Sequence, residues 1–151
     1  MDKKKLQEEL KQSMLSKNEI RTSVLRLLLS AINYFEIQKG GAGYSATEED
    51  ILSVVQKEIK QHKDSIEQFQ SAERQELVDK EQKELEILQS FLPQQLGEEE
   101  VKKIVEETIS ETGAKTIQEM GKVMGALTAK LKGKADMGMV SQLVKEKLST
   151  P

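Results

Sequence analysis

The stretch TEEDILSVVQKEIKQHKDSIEQFQSAERQELVDKEQKELEILQSFLP, residues 47–93, decides the fold, because it carries two apolar stripes of one period separated by a short polar break. In the first half Leu52, Val55, Ile59, His62, Ile66 and Phe69 recur at alternating spacings of three and four. After a break near Ser71 and Ala72, the positions Arg74, Val78, Glu81, Leu85, Leu88 and Leu92 keep the same rhythm. That period is the period of a helix, so the short break folds one amphipathic helix back on the other as an antiparallel hairpin. Pairing the halves outward from the break sets Ile66 opposite Leu77, His62 opposite Glu81 and Val55 opposite Leu88. A polar layer inside an apolar seam serves to set register. His62 and Glu81 therefore read as a structural pair, not as an acid/base dyad. Thr47 with Asp50 supplies a capping box at the start of the hairpin, and Pro93 stops it.

Two helices precede the hairpin. The first carries Leu6, Leu10 and Met14 at spacing four and stops near Ser16, Lys17 and Asn18. The second begins around Glu19 and turns Val24, Leu25, Leu28, Ile32 and Phe35 to one side. It runs into KGGAGYSAT, whose glycines Gly40, Gly41 and Gly43 predict the most mobile loop of the chain.

Beyond Pro93, the segment PQQLG reads as a hinge between an amino-terminal helical domain, residues 1–93, and a smaller carboxyl-terminal domain, residues 94–151. Gly97 and the acidic turn EEE open a fifth helix with Val101, Ile104, Val105 and Ile109 on its core face, and Gly113 closes it. Thr116 and Glu119 form a capping box for a sixth, with Ile117, Met120, Met124, Leu127 and Leu131 inward. Gly133 ends that helix, and Asp136 caps a seventh bearing Val140, Leu143, Val144 and Leu148. Three short helices with matching stripes make a minimal bundle. The fold class is all-α throughout.

Composition agrees and excludes several chemistries. Among 151 residues there are two prolines, no cysteine and a single histidine, which removes disulfides, thiolate nucleophiles, cysteine-ligated zinc and His-rich metal sites. No metal or cofactor is expected. MDKKKLQEEL lacks the apolar core of a signal peptide, and LRLLLSAI is too short to span a bilayer. The expectation is a cytoplasmic protein that does not enter a membrane.

The net charge of −3 conceals a gradient. Glu98–Glu119 holds seven acids against three lysines, whereas Met120–Lys147 holds six lysines against Asp136 and Glu146. The basic end contains MGKVMGALTAKLKGKADMGMV, residues 120–140, in which Gly121 and Gly125 lie four apart inside a helix and Lys130, Lys132 and Lys134 crowd Gly133. Helical glycines cost about 1 kcal/mol each relative to alanine, so something must compensate. One compensation is close approach of a neighbouring helix. The lysines either solvate a loop and complement a helix carboxyl terminus or meet phosphate.

The runs KEIKQHKDSIEQF, ELEILQSFLPQQL, EETISETGAKTIQEMGKVMGAL and KLKGKAD together resemble the YqeY family of bacterial proteins, over nearly the whole chain and in order. The carboxyl-terminal part is similar to the tail of GatB, the subunit with which the glutamine-dependent aspartyl/glutamyl-tRNA amidotransferase binds tRNA. The resemblance implies an all-helical amino-terminal region joined to a three-helix tail-like domain. The chain departs from the family pattern in two places: His62 stands where arginine is frequent, and Met137, Gly138 and Met139 replace a more polar DGK-like run.

The amidotransferase reaction itself is not implied. Glutamine hydrolysis needs an activated nucleophile, and cysteine is absent while the serines stand alone in polar segments. GGAG is followed by Tyr44 and Ser45 rather than by the lysine of a phosphate-binding loop. The expected function is a non-enzymatic, tRNA-associated accessory protein. Lys122, Lys130, Lys132 and Lys134 are its candidate phosphate contacts, and Gly121, Gly125 and Gly133 shape the backbone beside them. With aromatic residues at 3%, recognition would be of shape and phosphate rather than by base stacking. The alternatives are a helical adaptor that docks a protein through the hairpin, and an accessory subunit of an amidotransferase whose chemistry lies in other chains.

Overall fold

The computed structural model describes residues 1–149 and contains seven α-helices and no strand among them. The helices are α1 (Lys3–Leu15), α2 (Glu19–Gly40), α3 (Glu48–Ser71), α4 (Gln75–Gln89), α5 (Glu98–Thr112), α6 (Met120–Leu131) and α7 (Met137–Ser149). The chain divides into two compact units, Met1–Leu92 and a second from Pro93 onward, each with its own apolar core.

In the first unit α2 packs against α1, α3 and α4, and α3 lies along α4 as the hairpin. Leu6, Val24, Leu25, Leu28, Ile32, Ile51, Val55 and Leu88 make its centre. The heptad reading of α3 is too narrow: Ile51 and Val54 are buried as well, because this helix faces α2 in addition to α4. Met14, assigned to the core by its spacing, is half exposed.

The turns after α1 and α3 are built alike. The amides of Lys17 and Asn18 donate to the carbonyls of Met14 and Ser13, and those of Glu73 and Arg74 donate to the carbonyls of Gln70 and Phe69. This is a Schellman cap in both places, with Lys17 (φ 57°) and Glu73 (φ 56°) in the left-handed conformation. A side chain there is disfavoured by roughly 1–2 kcal/mol, so both turns are held by their hydrogen bonds and by the helix packing they permit. Ser13 and Thr22, both buried, add a hydroxyl–hydroxyl bond of 2.9 Å between α1 and α2.

The glycine-rich loop is not free, contrary to its composition. Gly41–Gly43 forms a 3-10 turn, and polar side chains pin the residues after it. The Glu36 carboxylate accepts from the Ala46 amide at 2.9 Å and from the Lys3 ammonium at 2.7 Å. Asp50 accepts from Lys39 at 2.8 Å, from the Tyr44 hydroxyl at 2.6 Å and from the Thr47 amide at 3.0 Å. The Lys39 ammonium lies over the rings of both Phe35 and Tyr44. The sequence shows the glycines; it does not show that Glu36 and Asp50, one on each flanking helix, reach across the loop.

In the second unit the three-helix bundle centres on Val101, Val105, Val123, Leu127, Leu131, Val140 and Val144. Thr116 and Glu119 form their capping box, but around a 3-10 turn, Ile117–Glu119, that precedes α6. That turn rotates Ile117 outward to 45% exposure and gives its place in the core to Val123. The segment read as a hinge is tied down within this unit: the Leu96 amide donates to the Lys134 carbonyl at 2.9 Å, and Gln95 donates to the Gly133 carbonyl at 2.6 Å.

Two outcomes are expected. Glu73→Gly should raise stability, by up to about 1 kcal/mol, since glycine adopts the left-handed conformation freely while losing more chain entropy on folding. A urea titration showing a loss would mean that the Glu73 side chain contributes more than its backbone strain removes. Lys39 first, then Tyr44 and Thr47, hold Asp50 below the ordinary carboxylate range, while the Ala46 amide and Lys3 lower Glu36. A depressed carboxyl contributes stability above its unfolded pKa and loses it as pH falls through the folded one. Thermal melts taken from neutral pH downward should therefore show an acid limb below about pH 4 that Asp50→Asn makes shallower.

Candidate functional site

α6 turns by about 100° per residue, which separates the candidate residues onto different faces. Val123, Leu127 and Leu131 point into the bundle, while Gly121, Gly125, Thr128 and Ala129 are exposed on the opposite side. Apart from the backbone of α6 itself and the adjoining residues, no heavy atom of the described residues lies within 4 Å of where a Cβ would stand at Gly121 or at Gly125. This corrects the close-packing interpretation of the glycine pair within the bundle, since neither α5 nor α7 approaches it. The outer face of α6 is instead a strip of bare backbone and small side chains.

The lysines are dispersed around this strip. Lys122, exposed, follows Gly121 on the flank of the helix and helps, as a lesser influence, to keep Glu119 ionised. The main causes at Glu119 are the Lys115 and Thr116 amides, which donate to it at 2.6 and 3.0 Å. Lys132 is partly buried at the carboxyl cap of α6, where its amide donates to the Thr128 carbonyl. Lys134 has an exposed side chain, but its backbone is fully engaged with Leu131 and Leu96.

Lys130 lies apart from the others. Its ammonium reaches α5, 2.8 Å from Glu111 and 3.1 Å from the buried hydroxyl of Thr108. Gly133 is buried with φ 78°, so it shapes the turn without offering a surface. The structure thus brings Gly121, Gly125 and Lys122 together, sets Lys132 and Lys134 at the carboxyl end of α6, and removes Lys130 and Gly133 from the exposed face.

The charge gradient of the sequence is also partly cancelled in space. Lys147 of α7 bonds Glu106 of α5 at 2.6 Å and holds that carboxyl below its ordinary pKa, as Lys130 of α6 pairs with Glu111. The acid-rich helix thus pairs with one lysine of α6 and one of α7. Nothing in the linear order shows which lysines are so occupied.

A second polar cluster lies in the hairpin. The buried His62 has Nε2 3.2 Å from Glu84 and 3.6 Å from Glu81, while Nδ1 is 2.9 Å from the Glu58 carbonyl. Register alone sets Glu81 opposite the histidine and misses Glu84, which is one turn further along α4 and closer. The i+3 relation of Glu84 to Glu81 is the signal that could have found it. As for the adaptor alternative, the exposed large apolar side chains lie elsewhere than on the hairpin: Met14, Leu15, Ile20, Leu27, Tyr34 and Ile37 belong to α1 and α2, and Ile117 to the bundle.

Comparison with known proteins adds relatives to this geometry. The protein named "Altered inheritance of mitochondria protein 41, mitochondrial" from Pyrenophora tritici-repentis is 33% identical over 94% of this chain and 78% of its own length. Its namesake in Saccharomyces cerevisiae is 34% identical over 81% of this chain and 68% of its own. An uncharacterized protein of Schizosaccharomyces pombe is 36% identical over 59% of this chain and 70% of its own. The names correct the expectation of a cytoplasmic protein, because two of these relatives are called mitochondrial. The features behind that expectation, no cysteine and no apolar span, do not distinguish the cytosol from the interior of a mitochondrion. The relatives are fungal, so the family is not confined to bacteria either. A family model described as Yqey-like protein matches residues 3–148, and the chain belongs to that family.

Proposed function

We propose that the protein is a non-catalytic accessory factor that contacts tRNA through the outer face of α6, with Lys122 and Lys134 as its main phosphate contacts and Lys132 beside them. One observation carries this reading: the exposed pair Gly121 and Gly125 weakens α6, and among the described residues of the second unit nothing packs there to compensate. Bare backbone flanked by lysines suits a ligand that must come close and is negatively charged, which describes the sugar-phosphate surface of a folded RNA. The resemblance of this unit to the tRNA-binding tail of GatB points the same way. Lys130 is a minor contributor here, because phosphate would have to compete with Glu111 for it.

The non-catalytic part of the proposal rests on the residues at hand. The depression along α5 is lined by Glu99, Glu100, Lys102, Lys103 and Glu106, all from one helix, and catalysis calls for groups that converge from several elements into an enclosed site. A protein adaptor remains the second reading, favoured by the heptad-spaced and exposed Ile20, Leu27 and Tyr34 on α2.

The glycine argument is tested first on the free protein. Gly125→Ala should stabilise the second unit by about 0.5–1 kcal/mol in chemical denaturation, since the methyl meets nothing. Destabilisation would reveal an internal packing role and remove the observation that carries the proposal. Binding is tested on a tRNA transcript across a salt series, where each phosphate contact steepens the logarithmic dependence by roughly 0.7–0.9. Lys122→Glu with Lys134→Glu should weaken binding and flatten that slope, and Gly125→Leu should block approach while leaving helical circular dichroism intact. An unchanged slope in the folded double variant would exclude this face and transfer the assignment to the adaptor surface on α2.

A further inference from the structure

The geometry points to a divalent metal site in the hairpin, formed by Nε2 of His62 on α3 and one carboxylate oxygen each from Glu81 and Glu84 on α4. We propose that it takes a first-row transition cation, zinc by preference, which clamps the two helices together. The argument begins with the hydrogen bond on the far side of the ring. A backbone carbonyl can only accept, so the Glu58 oxygen 2.9 Å away places the proton on Nδ1. In the neutral ring Nε2 is then a bare lone pair, and it faces two carboxylates. The three donor atoms lie within 4.8 Å of one another, and acceptors so arranged suit a cation between them.

Distance favours the metal. A charge-assisted N–H to carboxylate bond closes to about 2.7–2.9 Å. The separation of 3.2 Å to Glu84 is at the long end of the hydrogen-bond range, and that of 3.6 Å to Glu81 lies beyond it. Two ligands on one tetrahedral zinc, with bonds of roughly 2.0–2.2 Å, are about 3.3–3.5 Å apart, which falls between the two values. The Nδ1 bond to a carbonyl is also the arrangement that fixes the tautomer and orientation of a ligating histidine. Glu81 and Glu84, at i and i+3, present both carboxylates from one helix face, and their charges together match a divalent ion. The histidine is buried while both glutamates retain partial exposure, so the site has a closed side at the ring and an open side for entry and for a water as fourth ligand.

The test uses the full chain, freed of metal by chelation and titrated with zinc in a calorimeter and with cobalt(II) in a visible spectrometer. The proposal expects saturation at one ion per chain, tetrahedral cobalt absorption and a metal-dependent rise in melting temperature. Glu84→Gln and Glu81→Gln keep side-chain shape and should each lower affinity by roughly tenfold or more, with a smaller thermal shift at a given zinc concentration. Glu86→Gln, on the exposed side of α4, should change nothing. His62→Gln should lose the cobalt absorption; if it fails to fold, the two carboxylate variants decide. Absence of one-to-one binding in the wild-type chain would overturn the proposal and leave a polar layer within the hairpin seam. Binding that persists undiminished in Glu84→Gln and Glu81→Gln would overturn it equally.

Discussion

The apolar face of α2 is the constraint on which the first unit depends. Val24, Leu25, Leu28 and Ile32 are all but inaccessible to water, and they are covered from three directions by α1, α3 and α4. Each covering helix is itself amphipathic and would not be stable alone, since an isolated helix of ordinary length is marginal in water. Burial against α2 supplies what propensity cannot. The polar contacts of the unit then act at its margins: Ser13 with Thr22 aligns α1, while Glu36 and Asp50 hold the chain where it passes from α2 into α3. These groups specify how the helices meet more than they drive the meeting.

Much of this was legible in the sequence, for a definite reason. A helix with one buried face writes its period directly into the order of residues, and caps such as Thr47 with Asp50 write its ends. Legibility failed wherever a helix has more than one neighbour or none. Two partners for α3 widened its buried face to include Ile51 and Val54, which a heptad template leaves out. The lack of a partner for the outer face of α6 among the described residues of its own unit left Gly121 and Gly125 exposed, although their spacing alone suggests packing. Thr108 illustrates a third failure: it is fully buried because its hydroxyl donates to the Ile104 carbonyl and accepts from Lys130, bonds that periodicity does not register.

The electrostatics of the second unit obey the same logic. A count along the chain separates acidic α5 from the lysine-rich segments after it, yet packing sets these helices side by side, and pairs such as Glu106 with Lys147 tie them. Lys122 and Lys134 keep exposed side chains at the two ends of α6. Exposed ion pairs contribute little to stability, so these contacts matter chiefly for which charges stay available. Lys130 is the instructive case: the sequence groups it with Lys132 and Lys134, and the structure assigns it to α5.

The two Schellman turns have a consequence for how the chain reaches this structure. Each joins consecutive antiparallel helices across only three residues, so α1 meets α2 and α3 meets α4 between segments that are already neighbours in the chain. Closing so short a loop forfeits little chain entropy, and proteins dominated by such local contacts have low contact order and fold in microseconds to milliseconds. Each hairpin can thus assemble before it docks on its neighbour, and little apolar surface need wait exposed for a distant partner. Lys17 and Glu73, strained in the finished molecule, occupy the two positions where the chain reverses first.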